Sequence, residues 1–300
     1  MRFLSAAIVV LLPFCVVHPA LGQENIKTFT YSKTKKADLR IIVHFPPWWK
    51  ATDKRPGIVF FYGGGWEKGT ILEFARQAQY LAGRGMVAAR ADYRVKSRHG
   101  VTPKECVDDA RSAIRWFRKN AGKLGVDPER IVASGDSSGG HIAACTTLMP
   151  ESELKDEKVS CKANALILFN PPLRFPAQLL KDIDNAEGVA KSISPIRHLT
   201  KDSPPTLLFY GTEDWLLRHG EEFMRRSKEL GHRAELFTAE KQGHSFFHRS
   251  PWLERTMERA DEFLVSLEYL PGDAATVAPA VKKAQPKTPP KVKHPTPARR

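Results

Sequence analysis

The 300-residue sequence has only four cysteines, Cys15, Cys106, Cys145 and Cys161. That is too few for a disulfide scaffold, and their spacing matches no zinc-binding pattern. No apolar run approaches the roughly 20 residues that a helix needs to cross a bilayer. No internal repeat is visible, and 20 glycines with 22 prolines are too few for a collagen-like chain. Core-forming residues are not scarce: 42% of the chain is hydrophobic and 27% charged, which excludes wholesale disorder. A chain this long can bury a core without metals or cross-links. Acidic residues are the remaining shortage, 33 against 47 basic ones, a formal charge of +14. Nucleic acid is the obvious partner for such a charge, but no nucleic-acid-binding motif accompanies it.

The charge is unevenly placed. Arg2, an apolar run from Leu4 to Val17, and small residues at Ala20 and Gly22 read as a secretory signal, residues 1–22, cleaved before Gln23. A membrane anchor fits less well because Pro13 interrupts the run, and Phe14 is too large to precede a lipoprotein cysteine. The expected location is therefore secreted or periplasmic. Residues 271–300 hold seven prolines, five lysines, two arginines and one aspartate. With almost nothing to bury, they read as a flexible or polyproline-like tail of net charge +6, which leaves +7 for residues 23–270. Such a tail is either simply solvated or contacts an anionic surface. The remaining thiols, Cys106, Cys145 and Cys161, allow one bridge and a free thiol, or none. Cys106–Cys161 is the favoured pair, because Cys145 precedes helix-compatible residues and reads as buried.

Between the ends, strand-length apolar runs alternate with segments of helical period. Ile41 to Phe45, Gly57 to Tyr62, Met86 to Ala89, Ile131 to Ala133, Ala163 to Phe169, Pro205 to Tyr210 and Ala234 to Thr238 read as strands. Phe74 to Leu81, 217–230 and 252–268 read as helices, and Val107, Ala110, Ile114, Phe117 and Ala121 mark one face of another. This alternation predicts an α/β fold, a mostly parallel central sheet with helices on both faces. Residues 171–204, rich in proline and charge, break the rhythm. They read as an insertion with one short helix, a candidate lid or substrate wall over a single catalytic domain, residues 23–270.

Three short motifs carry chemistry. Gly135-Asp136-Ser137-Ser138-Gly139-Gly140 follows a strand and precedes a helix. A sharp strand-to-helix turn strains its central residue and tolerates only tiny neighbours, so it lifts the Ser137 hydroxyl out of the sheet. A serine hydroxyl needs a base, and the base an orienting acid. In an open parallel sheet these come from loops after later strands. Gly211-Thr212-Glu213-Asp214-Trp215 follows one strand and Gly243-His244-Ser245-Phe246 another. Asp214 is preferred to Glu213 as the acid, and His244 is the base. Tyr62-Gly63-Gly64-Gly65-Trp66 follows an early strand, and its glycines free backbone N–H groups to point into a cavity. His141 reads as a packing residue behind Ser137. His248, four after His244, has metal-like spacing but no third ligand, so no metal is implied.

Together these motifs resemble the α/β-hydrolase family, in particular hormone-sensitive-lipase-like carboxylesterases and bacterial feruloyl or acetyl esterases, over residues 28–268. The resemblance implies Ser137 as nucleophile, Asp214 as acid, His244 as base, and the amides of Gly64, Gly65 and Ser138 as the oxyanion hole. Asp92-Tyr93-Arg94 matches a structural segment of the family. Tyr62 replaces the family's histidine, Ser138 its alanine and Ser245 its glycine. The short N-terminal stretch implies no N-terminal helical cap and an open site. Trp66, Trp215 and Phe246 adjoin the catalytic segments and line either the pocket or the core.

The expected function is a secreted serine carboxylesterase of short-chain esters, including carbohydrate acetyl esters, working without cofactors on small-molecule or polysaccharide substrates. The alternatives are a peptidase of the same fold and a non-catalytic binder of anionic wall polymers through the basic tail.

Overall fold

Runs such as Ile58–Phe61 and Leu166–Phe169 are apolar at every position, so as strands they must be covered on both faces. The computed structural model, which describes residues 25–151 and 158–272, builds that arrangement. Residues 1–24, which hold the expected signal, and residues 273–300, most of the expected tail, lie outside the described residues.

Eight strands form one sheet: β1 (Asn25–Lys33), β2 (Asp38–Phe45), β3 (Arg55–Phe61), β4 (Val87–Ala91), β5 (Val126–Asp136), β6 (Ala165–Phe169), β7 (Thr206–Gly211) and β8 (Ala234–Ala239), in the order β1-β2-β4-β3-β5-β6-β7-β8. Only β2 runs against its neighbours; β3 to β8 are mutually parallel. The helices are α1 (Ala75–Gly83), α2 (Lys96–His99), α3 (Pro103–Lys119), α4 (Ala121–Leu124), α5 (Ser138–Leu148), α6 (Ala186–Ser192), α7 (Leu217–Leu230) and α8 (Trp252–Ser266).

Alternation along each strand sorts the core into two layers. Val59 and Phe61 pack against α3, α5 and α7, whereas Ile58 and Phe60 pack against α1 and α8. Each fully buried Val, Leu or Phe contributes about 1.5–3 kcal/mol, so two such layers need no cross-link. Helix α3 shows how local signals set an element. Thr102 and Glu105 form a capping box, Pro103 occupies the first turn, and Val107, Ala110, Ile114 and Phe117 are buried on one face. On the opposite layer Arg84, which caps the end of α1, makes a two-pronged ion pair with Asp261 of α8, at 2.6 and 3.0 Å.

The connection from β3 goes to β4 on one side, and the chain then returns to β5 on the other side. The carboxyl ends of β3 and β5 therefore flank the switch point where an open α/β sheet forms a crevice. The glycine loop follows β3 and the serine turn follows β5, side by side, with Phe61 paired to Gly135.

Two expectations need correction. The residues before the first predicted strand are not merely a lead-in, because Asn25–Lys33 is itself an edge strand, antiparallel to β2. The insertion 171–204 contains α6, the one short helix expected there, between the 3-10 turns Ala177–Leu180 and Pro195–His198. It is anchored to the body: Leu173, Phe175, Ile193 and Ile196 join the core, and Tyr210 donates a 2.6 Å hydrogen bond to the Pro171 carbonyl. The expected Cys106–Cys161 bridge is absent, and Cys106, Cys145 and Cys161 are buried free thiols. Cys106 Sγ lies 3.2 Å from the Arg94 carbonyl, beside the start of α3, and Cys161 Sγ 3.3 Å from the Thr146 carbonyl, at the end of α5.

Candidate active site

The sequence places a non-glycine residue between β5 and α5 with no room for a gradual turn. Ser137 accordingly adopts φ 51° and ψ −119°, a conformation costing about 1–3 kcal/mol for a residue with a Cβ. Its flanking glycines are required by contact. A Cβ on Gly139 would lie 2.2 Å from the Phe61 carbonyl oxygen, and one on Gly135 2.5 Å from the Gly139 carbonyl carbon. The turn is held from the next strand by the Ser137 N–H, which donates to the Phe169 carbonyl at 2.8 Å.

The three predicted side chains come together although they lie up to 107 residues apart. Ser137 Oγ–H points to His244 Nε2 at 2.9 Å, and His244 Nδ1–H donates to Asp214 Oδ2 at 2.9 Å. Because Asp214 can only accept here, its bond fixes the imidazole tautomer and leaves Nε2 free to take the serine proton. Asp214 is buried. Burial alone would raise its carboxyl, but hydrogen bonds from His244, the Leu216 N–H and Asn170 outweigh it and hold Asp214 below the usual carboxylate range. Glu213, the rival acid, makes no such contact with His244; its backbone N–H serves the Gln242 carbonyl.

Asn170 is the site residue that sequence reasoning missed. It is fully buried at the end of β6, sits at φ 50°, and donates to Asp214 Oδ2 at 2.5 Å. Its only sequence signal is a polar residue ending an apolar strand before Pro171.

The glycine loop has the backbone its residues allow. Gly64 has φ 125° and Gly65 φ 66°, and a Cβ on Gly64 would lie 2.2 Å from the Lys68 carbonyl oxygen. Ser138 opens α5, so its N–H has no acceptor within the helix. Tyr62, in the place of a histidine, braces the loop. Its hydroxyl lies 2.7 Å from Asp92 Oδ1 and 2.8 Å from the Tyr93 carbonyl, and its ring stacks on Tyr93. Arg94 grips Asp109 of α3, so the Asp92-Tyr93-Arg94 segment is structural here.

The three flanking aromatics part company. Trp215 is 67% exposed with its ring centroid 4.4 Å from that of His244, at the mouth of the site. Trp66 is buried, donates from Nε1 to His141 Nδ1 at 3.2 Å and packs on Phe175, so it supports the insertion from below. Phe246 lies against Phe247 and Trp252 in the α1/α8 layer. Ser245, at φ 57°, turns the chain toward that layer. His141 is indeed a packing residue. Its Nε2–H donates to the Ile193 carbonyl at 2.6 Å, and burial lowers its pKa to about 4, so it stays neutral.

A strained serine, a tautomer-locked histidine and a buried aspartate, at the switch point of a parallel sheet and beside a glycine loop, define an α/β-hydrolase site able to perform nucleophilic acyl transfer. The chain belongs to the BD-FAE family, whose model matches residues 43–223. Carboxylesterase NlhH of Mycobacterium tuberculosis is 35% identical over 125 residues, 41% of this chain and 38% of that protein. Arylacetamide deacetylase of Rattus norvegicus is 32% identical over 165 residues, 53% and 39% of the two chains. The matches thus span less than half the length of these curated relatives. Esterase 2 of Thermogutta terrifontis, solved with propionate bound, is 41% identical with a TM-score of 0.76, over 82% of this chain and 96% of that one. The same esterase phosphorylated by paraoxon gives 42% and 0.77, over 83% and 96%.

Proposed function

We propose that the protein is an exported carboxylesterase that cleaves short-chain acyl esters through an acyl-enzyme on Ser137. The observation that carries this reading is the unbroken chain of hydrogen bonds Ser137–His244–Asp214, 2.9 Å at each link. His244 Nε2 takes the hydroxyl proton as Ser137 Oγ attacks the ester carbonyl. The carbonyl oxygen becomes an oxyanion facing the amides of Gly64, Gly65 and Ser138, and each well-placed donor lowers the barrier by about 2.7–4 kcal/mol. Asp214 stabilises the imidazolium. The tetrahedral adduct collapses, His244 returns the proton to the departing alkoxide, and the alcohol leaves. Water, deprotonated by His244, then attacks the acyl-serine; the carboxylic acid departs and Ser137 regains its proton.

Short acyl groups are supported by the Thermogutta terrifontis relative, solved with propionate and with butyrate bound. Export is supported by the signal-like residues 1–22, and acetylated polysaccharide is the polymer substrate that an exported enzyme with an open, Trp215-rimmed site would meet. The basic tail supplies contact with an anionic surface. Hydrolysis of p-nitrophenyl acetate through octanoate, beside acetylated xylan, tests the substrate. Activity should peak at two to four acyl carbons, and a fluorophosphonate should label wild type but not Ser137→Ala. A Ser137→Ala protein that still hydrolyses esters would end the reading.

A further inference from the structure

Behind the nucleophile lies a trio of titratable side chains that the acyl-transfer steps do not use. Glu73 follows the glycine loop, Asp136 ends β5 one residue before Ser137, and His248 closes the 3-10 turn Phe246–His248 after His244. One donor atom from each lies within 4.8 Å of the others. Asp136 is buried, and Glu73 and His248 are half-buried.

The trio reaches three different segments. Glu73 Oε1 accepts from the Gly63 N–H at 3.0 Å. Asp136 Oδ2 accepts from Ser245 Oγ–H at 2.9 Å, and His248 Nε2 stands 3.8 Å from the same oxygen. Gly63 presses so closely on this carboxylate that a Cβ there would lie 2.7 Å from Asp136 Oδ2. Every link ends one residue from a reacting group: Gly63 before Gly64, Asp136 before Ser137, Ser245 after His244.

The geometry points to Glu73, Asp136 and His248 as a positioning clamp that fixes the glycine loop, the serine turn and the histidine loop relative to one another. The role rests on the esterase reading above. Packing alone does not account for it. Two carboxylates and an imidazole are costly to bury, and Asp136 Oδ1 has no hydrogen-bond donor. Burial, then Asp136, push the Glu73 carboxyl up to about 7, opposed by the Gly63 amide and His248. Burial and Arg249 oppose a charge on His248, but Asp136 and Glu73 outweigh them and raise its pKa. The rings of Phe74 and Phe247 complete the wall around the imidazole. Below neutral pH Glu73 thus faces Asp136 protonated and uncharged. Loss of the Glu73 proton sets its carboxylate against Asp136 and loosens the clamp.

The test measures kcat and KM for p-nitrophenyl butyrate from pH 5.5 to 9 in the full chain, with Ser137→Ala as control. A shift of about 1 Å in a reacting group costs on the order of 100-fold, so Glu73→Ala should lower kcat about 10- to 100-fold with KM little changed. Glu73→Gln keeps an acceptor for Gly63 and carries no charge. It should restore kcat to near wild type and abolish an alkaline decline that wild type shows with its midpoint near or above 7. Wild-type kcat in Glu73→Ala, or a Glu73→Gln as impaired as Glu73→Ala, overturns the clamp. Should Glu73→Ala fail to fold, His248→Gln is judged by the same split between kcat and KM. Loss of wild-type activity in chelator with recovery on added zinc makes the trio a metal centre and overturns the clamp as well. An active Ser137→Ala fails the esterase reading itself; an inactive one beside an unaffected Glu73→Ala fails the clamp alone.

Discussion

Replacing Asn170 measures how firmly the acid of the site is held. Asp214 receives three donors: His244 Nδ1–H and Asn170 Nδ2–H on Oδ2, and the Leu216 N–H on Oδ1. A hydrogen bond to a charged group contributes about 1.5–3 kcal/mol. If that contribution is felt as the imidazolium forms, its loss lowers kcat/KM by about 10- to 150-fold, at 1.36 kcal/mol per tenfold. Alanine also bears the strained backbone at φ 50°, about 1–2 kcal/mol that asparagine tolerates better. Asn170→Gly separates the two effects, because glycine relieves the backbone but supplies no amide. Both variants should therefore lose activity alike, while Asn170→Ala melts several degrees lower than Asn170→Gly at about 2–4 °C per kcal/mol. Kinetics with p-nitrophenyl butyrate from pH 5 to 9, with melting curves alongside, give the answer. An Asn170→Gly enzyme with wild-type kcat/KM would refute the reasoning.

Four further outcomes follow from contacts described above. Gly139→Ala forces a Cβ against two backbone carbonyls, 2.2 and 2.3 Å away, so neither turn nor nucleophile survives; circular dichroism and fluorophosphonate labelling should both show the loss. The thiols of Cys106, Cys145 and Cys161 are buried and burial raises the pKa of each, so Ellman's reagent should reach them only after denaturation. Trp215→Ala removes the ring lying 4.4 Å from that of His244; KM should rise several-fold in steady-state kinetics while the melting temperature stays put, since the side chain is 67% exposed. Glu73 is raised from an ordinary 4.5 to about 7 by burial and Asp136. Its contribution to stability is present below pH 4.5 and lost as pH rises through about 7. The melting temperature of Glu73→Gln relative to wild type should therefore climb between pH 5 and pH 8.

The parallel strands were legible because burial on both faces leaves an unmistakable mark, a run with no polar interruption. The serine turn was legible because its strain demands glycine at Gly135 and Gly139, and the sequence order of serine, acid and histidine follows the strand order. Strand β1 was not read. Its Phe29 and Tyr31 alternate with polar residues, but an exposed edge strand buries too little for the pattern to stand out. Asn170 was hidden because its role depends on a partner 44 residues away, which no local pattern encodes. Trp66 and Phe246 stayed open between pocket and core for a different reason. Each lies at or just after a residue with positive φ, Trp66 itself at 61° and Ser245 at 57°, and a single such dihedral decides which side of the sheet a ring meets. The Cys106–Cys161 pairing failed because the two thiols face different carbonyls, at the start of α3 and the end of α5.

The strand order also sets the sequence in which the machinery fails. The serine turn and glycine loop hang from β5 and β3, each hydrogen-bonded on both sides, whereas His244 follows β8, which is paired only to β7 and is half-exposed along most of its length. Edges open before centres. On warming, the base departs while the nucleophile and its oxyanion amides are still in place, so catalysis should die a few degrees ahead of the fold and return on cooling.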